Sequence, residues 1–436
     1  MTMKKSKILL SIIFACILAV SAGCGNAKPQ ADTGTATVEG EPDAVNGLTG
    51  AKTAEAEALV DGGDGFAADA VGEAFDAAVG AETPNIGGNT SPDEPMIQPE
   101  AGLLTAGQWT DNDNWGFFSN LVNSDTITFP SFGLDPRNRA LVNVKTAEGK
   151  PVVNAKVNLL DKENNILWSA VTDKQGRGFL FVQEGKAAAS VEVECGGKKQ
   201  SVPAENMGTG TQGEQLSGGV ELDVTLDAES TLYKPMDIMF IVDATGSMSD
   251  EMTFLQKEFT AITNEIGTDN VRYAVNFYRD EGDDYVTKCN DFTDNIKELQ
   301  TVLNNEFATG GGDTPEAVAE VLNDSVFKSN WNDESVKLAF LIFDAPPHDG
   351  KEEEIRKAVS AASEKGIRII PVVSSNSDRE TELFGRALSI VTGGTYVFLT
   401  DDSGIGDSHL EPIIGSYEVR SLYDIIIDII NDYRQG

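Results

Sequence analysis

The stretch from Met236 to Met248 places the strongest constraint on how this chain folds. Its first part, MDIMFIVD, is mostly apolar and short enough to form one buried strand. The strand pattern ends in a turn where Asp243, Thr245 and Ser247 follow one another at intervals of two residues. If the alternation of an extended backbone continues into the turn, these oxygen-bearing side chains lie on one side. The stretch therefore predicts a cation site at the end of a buried strand.

Two later segments carry groups that suit the same site. The sequence GGGDTPE at 310–316 opens a helical pattern, and a second apolar run at 338–343 is followed by Asp344. In an open parallel sheet, the carboxyl ends of the strands lie along one edge, and ligands bind in the loops beyond them. We therefore expect Thr314 and Asp344 to lie beside the loop that follows Asp243.

Together these segments resemble the von Willebrand factor type A domain with its metal-ion-dependent adhesion site. The family pattern is Asp-x-Ser-x-Ser, followed later by a Thr and an Asp, and it is matched here by Asp243, Thr245, Ser247, Thr314 and Asp344. Thr245 replaces the usual Ser but keeps the hydroxyl. The resemblance covers residues 232–436. It implies that Mg²⁺, or alternatively Mn²⁺ or Ca²⁺, is held by these side chains and binds an acidic group of a protein or glycan partner.

Other interpretations of these residues remain open at this stage. Thr245 or Ser247 could cap the helix that follows the turn instead of binding a cation. Asp313 and Glu316 flank Thr314 and are candidates for supporting the metal ligands. Acidic residues are also favoured at a helix start for electrostatic reasons alone.

The C-terminal part alternates apolar strand patterns with helical patterns. This alternation predicts an α/β fold, a doubly wound and mostly parallel sheet with helices on both faces. The predicted strands are 236–243, 271–278, 338–343, 367–373 and 395–399. The predicted helices lie near 250–266, 293–304, 315–325, 351–364, 379–391 and 418–433.

Residues 137–230 contain short alternating strand patterns separated by turn sequences, which predicts a small all-β sandwich before the α/β domain. The runs GKPVVNAKVNLL and TDKQGRGFLFV within it resemble the carboxypeptidase-regulatory-like group of transthyretin-type sandwiches. That resemblance implies a spacer or an adhesion support without chemistry of its own.

Residues 101–136 form an aromatic-rich connecting segment that includes Trp109 and Trp115. Aromatic side chains at this density outside a strand pattern usually cover a neighbouring surface, so we expect packing across one of the two folded domains. A calcium loop starting at Asp111 is rejected, because its fifth and twelfth positions are Trp115 and Val122.

The N-terminus has lysines, an apolar run at 8–20 and the sequence Ser-Ala-Gly-Cys, a pattern that indicates an export signal. Residues 1–23 resemble a bacterial lipoprotein signal peptide, which implies that Cys24 is lipidated and holds the protein at the extracytoplasmic side of a cell membrane. An ordinary signal with an incidental Cys is the alternative. Residues 24–100 are acidic and poor in apolar side chains, so we expect a disordered tether.

The formal net charge of −37 excludes a nucleic-acid partner and favours cations. Once Cys16 is cleaved off with the signal and Cys24 is lipidated, Cys195 and Cys289 remain. They fall in different predicted domains, so unpaired thiols are favoured over a disulfide.

No set of nucleophile, base and orienting residue is apparent, and we expect a protein that is not an enzyme. His348 follows Asp344 by four residues and could act on a metal-bound water, but a surface loop histidine is the favoured interpretation. The acidic residues at 280–284 are interpreted as a solvated turn. Two functions are therefore considered: metal-dependent adhesion at the cell surface, and a structural or assembly component of the cell envelope with a metal-stabilised domain.

Overall fold

The structure is a computed structural model. The residues that it describes are 104–128, 132–136, 139–183, 185–204, 220–312, 314–404 and 408–434. The predicted signal peptide, the predicted tether, Cys24 and Asp313 lie outside the described residues. All described residues belong to one compact unit.

The secondary structure follows the chain in three groups. The N-terminal group is β1 (Thr105–Trp109) and α1 (Trp115–Asn123). The second group is β2 (Arg139–Lys145), β3 (Lys156–Leu160), β4 (Ile166–Val171), β5 (Arg177–Phe181), β6 (Ser190–Cys195), β7 (Lys198–Pro203) and β8 (Val220–Thr225). The third group is β9 (Met236–Asp243), α2 (Ser249–Ile266), β10 (Val271–Tyr278), β11 (Thr287–Lys288), α3 (Ile296–Asn304), α4 (Val318–Phe327), β12 (Val336–Phe343), α5 (Glu352–Lys365), β13 (Ile367–Val373), α6 (Arg379–Thr392), β14 (Tyr396–Thr400), β15 (Arg420–Ser421) and α7 (Leu422–Arg434).

The strands of the third group, together with β1, build one eight-stranded sheet with the order β11-β10-β9-β12-β13-β14-β1-β15. Strands β10, β9, β12, β13 and β14 are parallel, and the short strands at the two ends are antiparallel. Every residue of β9 is buried, as expected for a strand covered on both faces. The predicted doubly wound, mostly parallel sheet is confirmed.

Helices cover both faces of this sheet, because successive residues of the central strands point to opposite sides. On one face, Phe240 of β9 packs edge to face on Phe259 of α2, in a core that also includes residues of α3 and α7. On the other face, Phe343 of β12 packs on Phe384 of α6, in a core shared with α4 and α5.

The second group forms two sheets, β5-β2-β8 and β4-β3-β6-β7, whose inward residues make a common core. Val142, Val157 and Val191 are completely buried there. The predicted small β-sandwich is confirmed as an architecture. It packs against α5 and α6, and its core is continuous with the core beneath these helices. Arg368 of β13 joins the two parts by donating to the carbonyl oxygen of Val171 at 2.8 Å.

The aromatic-rich segment differs from expectation. It was predicted to lie outside any strand, but β1 pairs antiparallel with β14 and so belongs to the α/β sheet. The segment then turns into α1, where Trp115 lies 4.3 Å from the guanidinium of Arg139, the first residue of the sandwich strand β2. Burial lowers the pKa of Arg139 to about 10, helped by the neighbouring charge of Arg177. The segment therefore contacts both the sheet and the sandwich.

Two further observations concern the described residues. Cys195 is buried and Cys289 is exposed, and neither forms a disulfide. Within the part of the chain that the structure describes, none of the helices has the length and apolar character needed to cross a membrane.

Candidate metal centre

The sheet topology brings Asp243 and Asp344 to neighbouring strand ends. Asp243 is the last residue of β9, and Asp344 directly follows β12, which pairs in parallel with β9. From β9 the chain first adds β10 on one side and later adds β12 on the other. Such a reversal of strand order opens a crevice at the carboxyl ends of the strands, where open α/β sheets bind ligands.

Hydrogen bonds fix the first turn of the site. Oδ1 of Asp243 accepts the backbone amide of Thr245 at 2.9 Å and its hydroxyl at 2.7 Å. The hydroxyl oxygens of Thr245 and Ser247 are 3.4 Å apart. Oδ2 of Asp243 is completely buried and makes no hydrogen bond of ordinary geometry. The hydroxyl of Tyr278, which is also buried and also makes none, is close enough to act on the pKa of Asp243. A buried carboxylate oxygen without a hydrogen-bond partner costs free energy unless a cation binds it.

The helix-cap interpretation of Thr245 and Ser247 is wrong. Neither side chain caps α2, whose preceding residue Met248 makes no side-chain cap bond. Thr245 precedes a 3₁₀ turn at Gly246–Met248, also without a side-chain cap bond. Its hydroxyl is held by Asp243 instead.

A glycine loop closes the second side of the site. Gly310, Gly311 and Gly312 all have positive φ angles, of 85°, 68° and 152°, which residues other than glycine rarely adopt. The carbonyl oxygen of Gly310 accepts the amide of Gly246 at 3.2 Å, so the glycine loop lies against the Asp243 turn. This contact positions Thr314, which follows the loop.

The predicted ligands converge on one cavity of about 450 Å³. Its wall includes Thr245, Ser247, Thr314, Asp344 and the second predicted supporting residue, Glu316. Asp243 is completely buried and reaches the group through Thr245. The structure thus brings together four of the predicted ligands directly around one space, with the fifth hydrogen-bonded to one of them.

Carboxylates dominate the electrostatics of this cavity. Burial and the nearby charge of Asp344 raise the pKa of Asp243 to about 7. Burial likewise raises the pKa of Asp344 to about 6, although a hydrogen bond from Ser247 acts to lower it. Burial, then the charges of Asp243 and Asp280, raise the pKa of Glu316 to about 9. All three pKa values are raised first by burial, and the neighbouring acids add to the effect because little positive charge lies among them.

Sequence reasoning missed other polar residues around the site. Asn376 and Asp378, in the loop after β13, line the cavity. Glu251 of α2 is buried, and its Oε1 accepts the amide of Ser375 at 3.1 Å and the Ser375 hydroxyl at 2.8 Å. The only available signal for Glu251 was an acid in the first turn after the motif, which is common at helix starts.

The acidic turn at 280–284 is not simply solvated, which corrects the expectation. Asp280 is buried, and its Oδ1 lies 2.6 Å from Nε2 of His348. Asp283 accepts the amide of Gly311 at 2.8 Å. His348, interpreted from the sequence as a surface loop residue, is therefore engaged with a buried carboxylate beside the glycine loop.

No group of three or more His, Cys, Asp and Glu side chains with metal-binding arrangement occurs among the described residues. The donor set at the cavity differs from such a group, since three of its five members are hydroxyls. Hard cations such as Mg²⁺ accept neutral hydroxyls and carboxylates in one site. The residues present, including the unpartnered Oδ2 of Asp243, fit such a cation.

The family comparison decides what this domain is. A family model described as von Willebrand factor type A domain matches residues 237–406. These residues form a von Willebrand factor type A domain. The sheet of the type A domain is completed by β1 and β15, which lie outside the matched range.

The chain is similar in part to a viral protein and to a bacterial protein of known structure. A putative ariadne-like RING finger protein of Acanthamoeba polyphaga mimivirus is 26% identical over 223 residues, which are 46% of this chain and 21% of that protein. The chain thus matches about a fifth of that relative. The crystal structure of the conserved hypothetical protein BatB from Bacteroides thetaiotaomicron is 15% identical, with a TM-score of 0.35, covering 46% of this chain and 100% of that chain.

Proposed function

We propose that this protein is a binding or adhesion protein whose type A domain captures an acidic group of a protein or glycan partner through a divalent cation. The observation that carries the proposal is the convergence of Thr245, Ser247, Thr314 and Asp344 on one cavity above Asp243. A type A domain is a protein-interaction module, which agrees with a protein partner.

The proposed cation is Mg²⁺, with Mn²⁺ or Ca²⁺ as alternatives. Asp243 and Asp344 would supply negative charge, and Thr245, Ser247 and Thr314 would supply hydroxyl oxygens. When bound, the cation offers a Lewis-acidic position to a further oxygen. The acids of the 280–284 turn would keep competing anions away, whereas Glu316, with its pKa raised to about 9, would be neutral near pH 7 until a cation binds.

We propose binding and not catalysis. His348, the histidine nearest in sequence to Asp344, is held by Asp280, and this contact supports a structural role for its ring. The same site would therefore act by affinity alone.

Lipid attachment through Cys24 at the extracytoplasmic side of a cell membrane remains part of the proposal. Its support is the sequence pattern of residues 1–24. The carboxypeptidase-regulatory-like relationship of the sandwich is likewise proposed on its sequence, and its role would be to present the type A domain. Intact-mass analysis of the protein purified from membranes tests the lipid directly.

The central experiment has two stages. Calorimetric titration of Mg²⁺, Mn²⁺ and Ca²⁺ into the chelated protein is expected to show one site that Asp243→Asn and Thr314→Val remove. The native surface proteins or glycans are then captured on the immobilised protein with Mg²⁺ or with chelator. Recovery of a partner only with metal, and only by the wild type, supports the proposal.

The experiment also separates the structural alternative. If the metal binds and stabilises the fold but capture is the same in chelator, the cation serves the domain and not a partner, and the adhesion proposal fails. Circular dichroism of both variants in chelator provides the folding control.

A further inference from the structure

A second cavity lies far from the metal centre, between the sandwich and the type A domain. Its volume is about 520 Å³, within the range of roughly 300 to 1,000 Å³ that is typical of small-molecule sites. The sandwich contributes residues around Lys156 and Thr172, and the type A domain contributes the beginnings of β12 and β13. We call this cavity the interdomain cleft. It lies at the amino ends of the strands, whereas the metal centre lies at their carboxyl ends.

The charge of the cleft is opposite to that of the protein. Five cationic side chains line it, against three acidic ones, on a chain whose formal net charge is −37. The five are Lys156, Lys174, Lys337, Lys365 and Arg368. Such a local excess of positive charge in an acidic protein favours an anion there.

Three of these cations have no carboxylate within ion-pair distance, although Asp237 and Asp333 act on Lys337 from farther away. Among the described residues, Lys337, Lys365 and Arg368 form no ion pair; each donates to backbone carbonyl oxygens instead. Lys337 and Arg368 are also buried, at 5% and 7% exposure. Burial lowers the pKa of Lys337. The carbonyl oxygens, which for Lys365 and Arg368 include those at the C-terminal ends of α4 and α6, offset part of the cost of burying these charges. They carry no net negative charge, so the cleft stays positive.

The acids of the cleft are largely occupied. Glu364 pairs with Lys156 at 3.1 Å, and Asp173 pairs with Arg177 at 2.8 Å, outside the cleft. Lys174 pairs with Asp432, which does not line the cleft. Lys337, Lys365 and Arg368 then face Asp333, the third acid. The uncompensated charge therefore stays positive by about two units, which matches a phosphate monoester, whose charge near neutral pH is about −1.5 to −2.

Two aromatic residues suggest what the rest of the ligand is. Tyr233 and Tyr433 both line the cleft and are partly exposed. Nζ of Lys337 lies 5.9 Å from the ring centroid of Tyr233, so the aromatic wall adjoins the cationic group. Ring faces of this kind pack against the carbon skeleton of organic ligands.

We propose that the interdomain cleft binds a small organic phosphate monoester, such as a sugar phosphate. Arg368, Lys337 and Lys365 attract the phosphate, and the organic part packs against the tyrosines. The guanidinium of Arg368 has five N–H donors, and the carbonyl oxygens of Thr392 and Val171 accept two of them, so three remain for a phosphate. This site is independent of the metal centre and of the partner proposed there.

The test is calorimetric titration with glucose 6-phosphate, at low salt and in chelator, so that the metal centre takes no part. Glucose and inorganic phosphate serve as matched probes that lack one half of the ligand. We expect saturable binding of glucose 6-phosphate that weakens as salt is raised, tighter than the binding of either probe. Glucose 6-sulfate, which carries less charge, should bind more weakly.

A triple variant removes charge with little risk to folding. Lys156→Gln, Lys174→Gln and Lys365→Gln change residues that are exposed or partly exposed. Lys365 is a proposed phosphate contact, and the other two changes release Glu364 and Asp432 from their ion pairs and so lower the positive charge of the cleft. Together they should weaken binding by roughly tenfold. Lys257→Gln, on α2 and outside the cleft, is the control for a general charge effect. Arg368→Lys keeps the charge but removes the guanidinium, and it should also weaken binding. Absence of saturable binding, or equal affinity in the wild type and the triple variant, overturns the proposal.

Discussion

Asp111 and Arg386 form an ion pair across 275 residues of sequence, and both side chains are fully inaccessible to solvent. Nε of Arg386 donates to Oδ2 of Asp111 at 2.8 Å, and Nη2 donates to Oδ1 at 2.7 Å. Nη1 of the same guanidinium donates to Glu382 at 3.2 Å and to the carbonyl oxygen of Ile413 at 3.0 Å. The N-terminal aromatic segment is thereby attached to α6 of the type A domain.

Breaking this ion pair should destabilise the protein severely. Asp111→Ala leaves a buried guanidinium with one remaining carboxylate, and removal of one partner of a buried pair typically costs about 3 to 5 kcal/mol. We expect urea denaturation to show this loss of unfolding free energy. Arg356→Ala, which removes a partly exposed pair with Glu353, is the control and should change stability little. Similar behaviour of the two variants would contradict the assigned role of Asp111.

The core of the type A sheet was predictable because its strands are buried on both faces. The apolar runs of β9 and β13 therefore stand out in the sequence, and their predicted bounds agree with the structure at both ends. Helices α3, α4 and α7 begin three or four residues later than predicted. Asn295 caps α3 by accepting the amide of Glu298, a local choice that periodicity does not resolve.

Strand β1 could not be predicted from its own residues. Its sequence TAGQW has little apolar alternation, and it becomes a strand because β14, almost 300 residues away, offers a free edge. Gly107 permits this contact, since a Cβ there would lie 2.4 Å from the ring of Phe398. The strand depends on this tertiary contact, and the local sequence indicates the contact only through Gly107.

The residues of the metal centre likewise divide into those that the sequence predicts and those that it does not. The five predicted ligands could be found because each stands at a strand end or in a glycine turn, where chain topology forces proximity. Asn376, Asp378 and Glu251 come near the cavity through the packing of α2 and of the loop after β13, which the sequence does not encode by spacing.

Divalent cations should stabilise the wild type and not Asp243→Asn. At a cation concentration 100 times its dissociation constant, the free energy of unfolding should rise by about 2.7 kcal/mol. The variant keeps an acceptor for Thr245 but loses the charge that attracts the cation. In chelator it should be at least as stable as the wild type, because the buried negative charge of Asp243 is gone. Urea denaturation with Mg²⁺ and with chelator measures both. Equal metal responses would contradict the assignment of Asp243.

Phe307 should contribute to partner binding beside the metal centre. It is 67% exposed, three residues before Gly310, and its carbonyl oxygen accepts Nη2 of Arg279 at 2.9 Å. A large apolar side chain on a fixed backbone is a typical interface anchor, so Phe307→Ser should weaken partner binding by about tenfold or more. Ile166→Ser, at an exposed position on the sandwich, is the matched control. The binding kinetics of each variant with the captured partner measure this effect. Equal losses of affinity in both variants would show that Phe307 does not belong to the interface.

The support of that loop should weaken in acid through Glu306. This buried carboxylate accepts from Arg279 at 2.9 Å, Tyr285 at 2.6 Å and Lys288 at 2.7 Å. Burial alone would raise its pKa, but the hydrogen bonds from Lys288 and Tyr285 prevail and keep the pKa of Glu306 below the usual 4.5. Because the folded-state pKa is the lower one, the stabilisation is complete above about pH 5 and is lost as pH falls through the folded-state value. The difference in unfolding free energy between the wild type and Glu306→Gln should therefore be constant near neutrality and shrink below the usual pKa. A difference that stays constant down to pH values well below that pKa would mean that Glu306 does not carry its charge in the folded protein, and that Arg279 and Lys288 hold the loop without it.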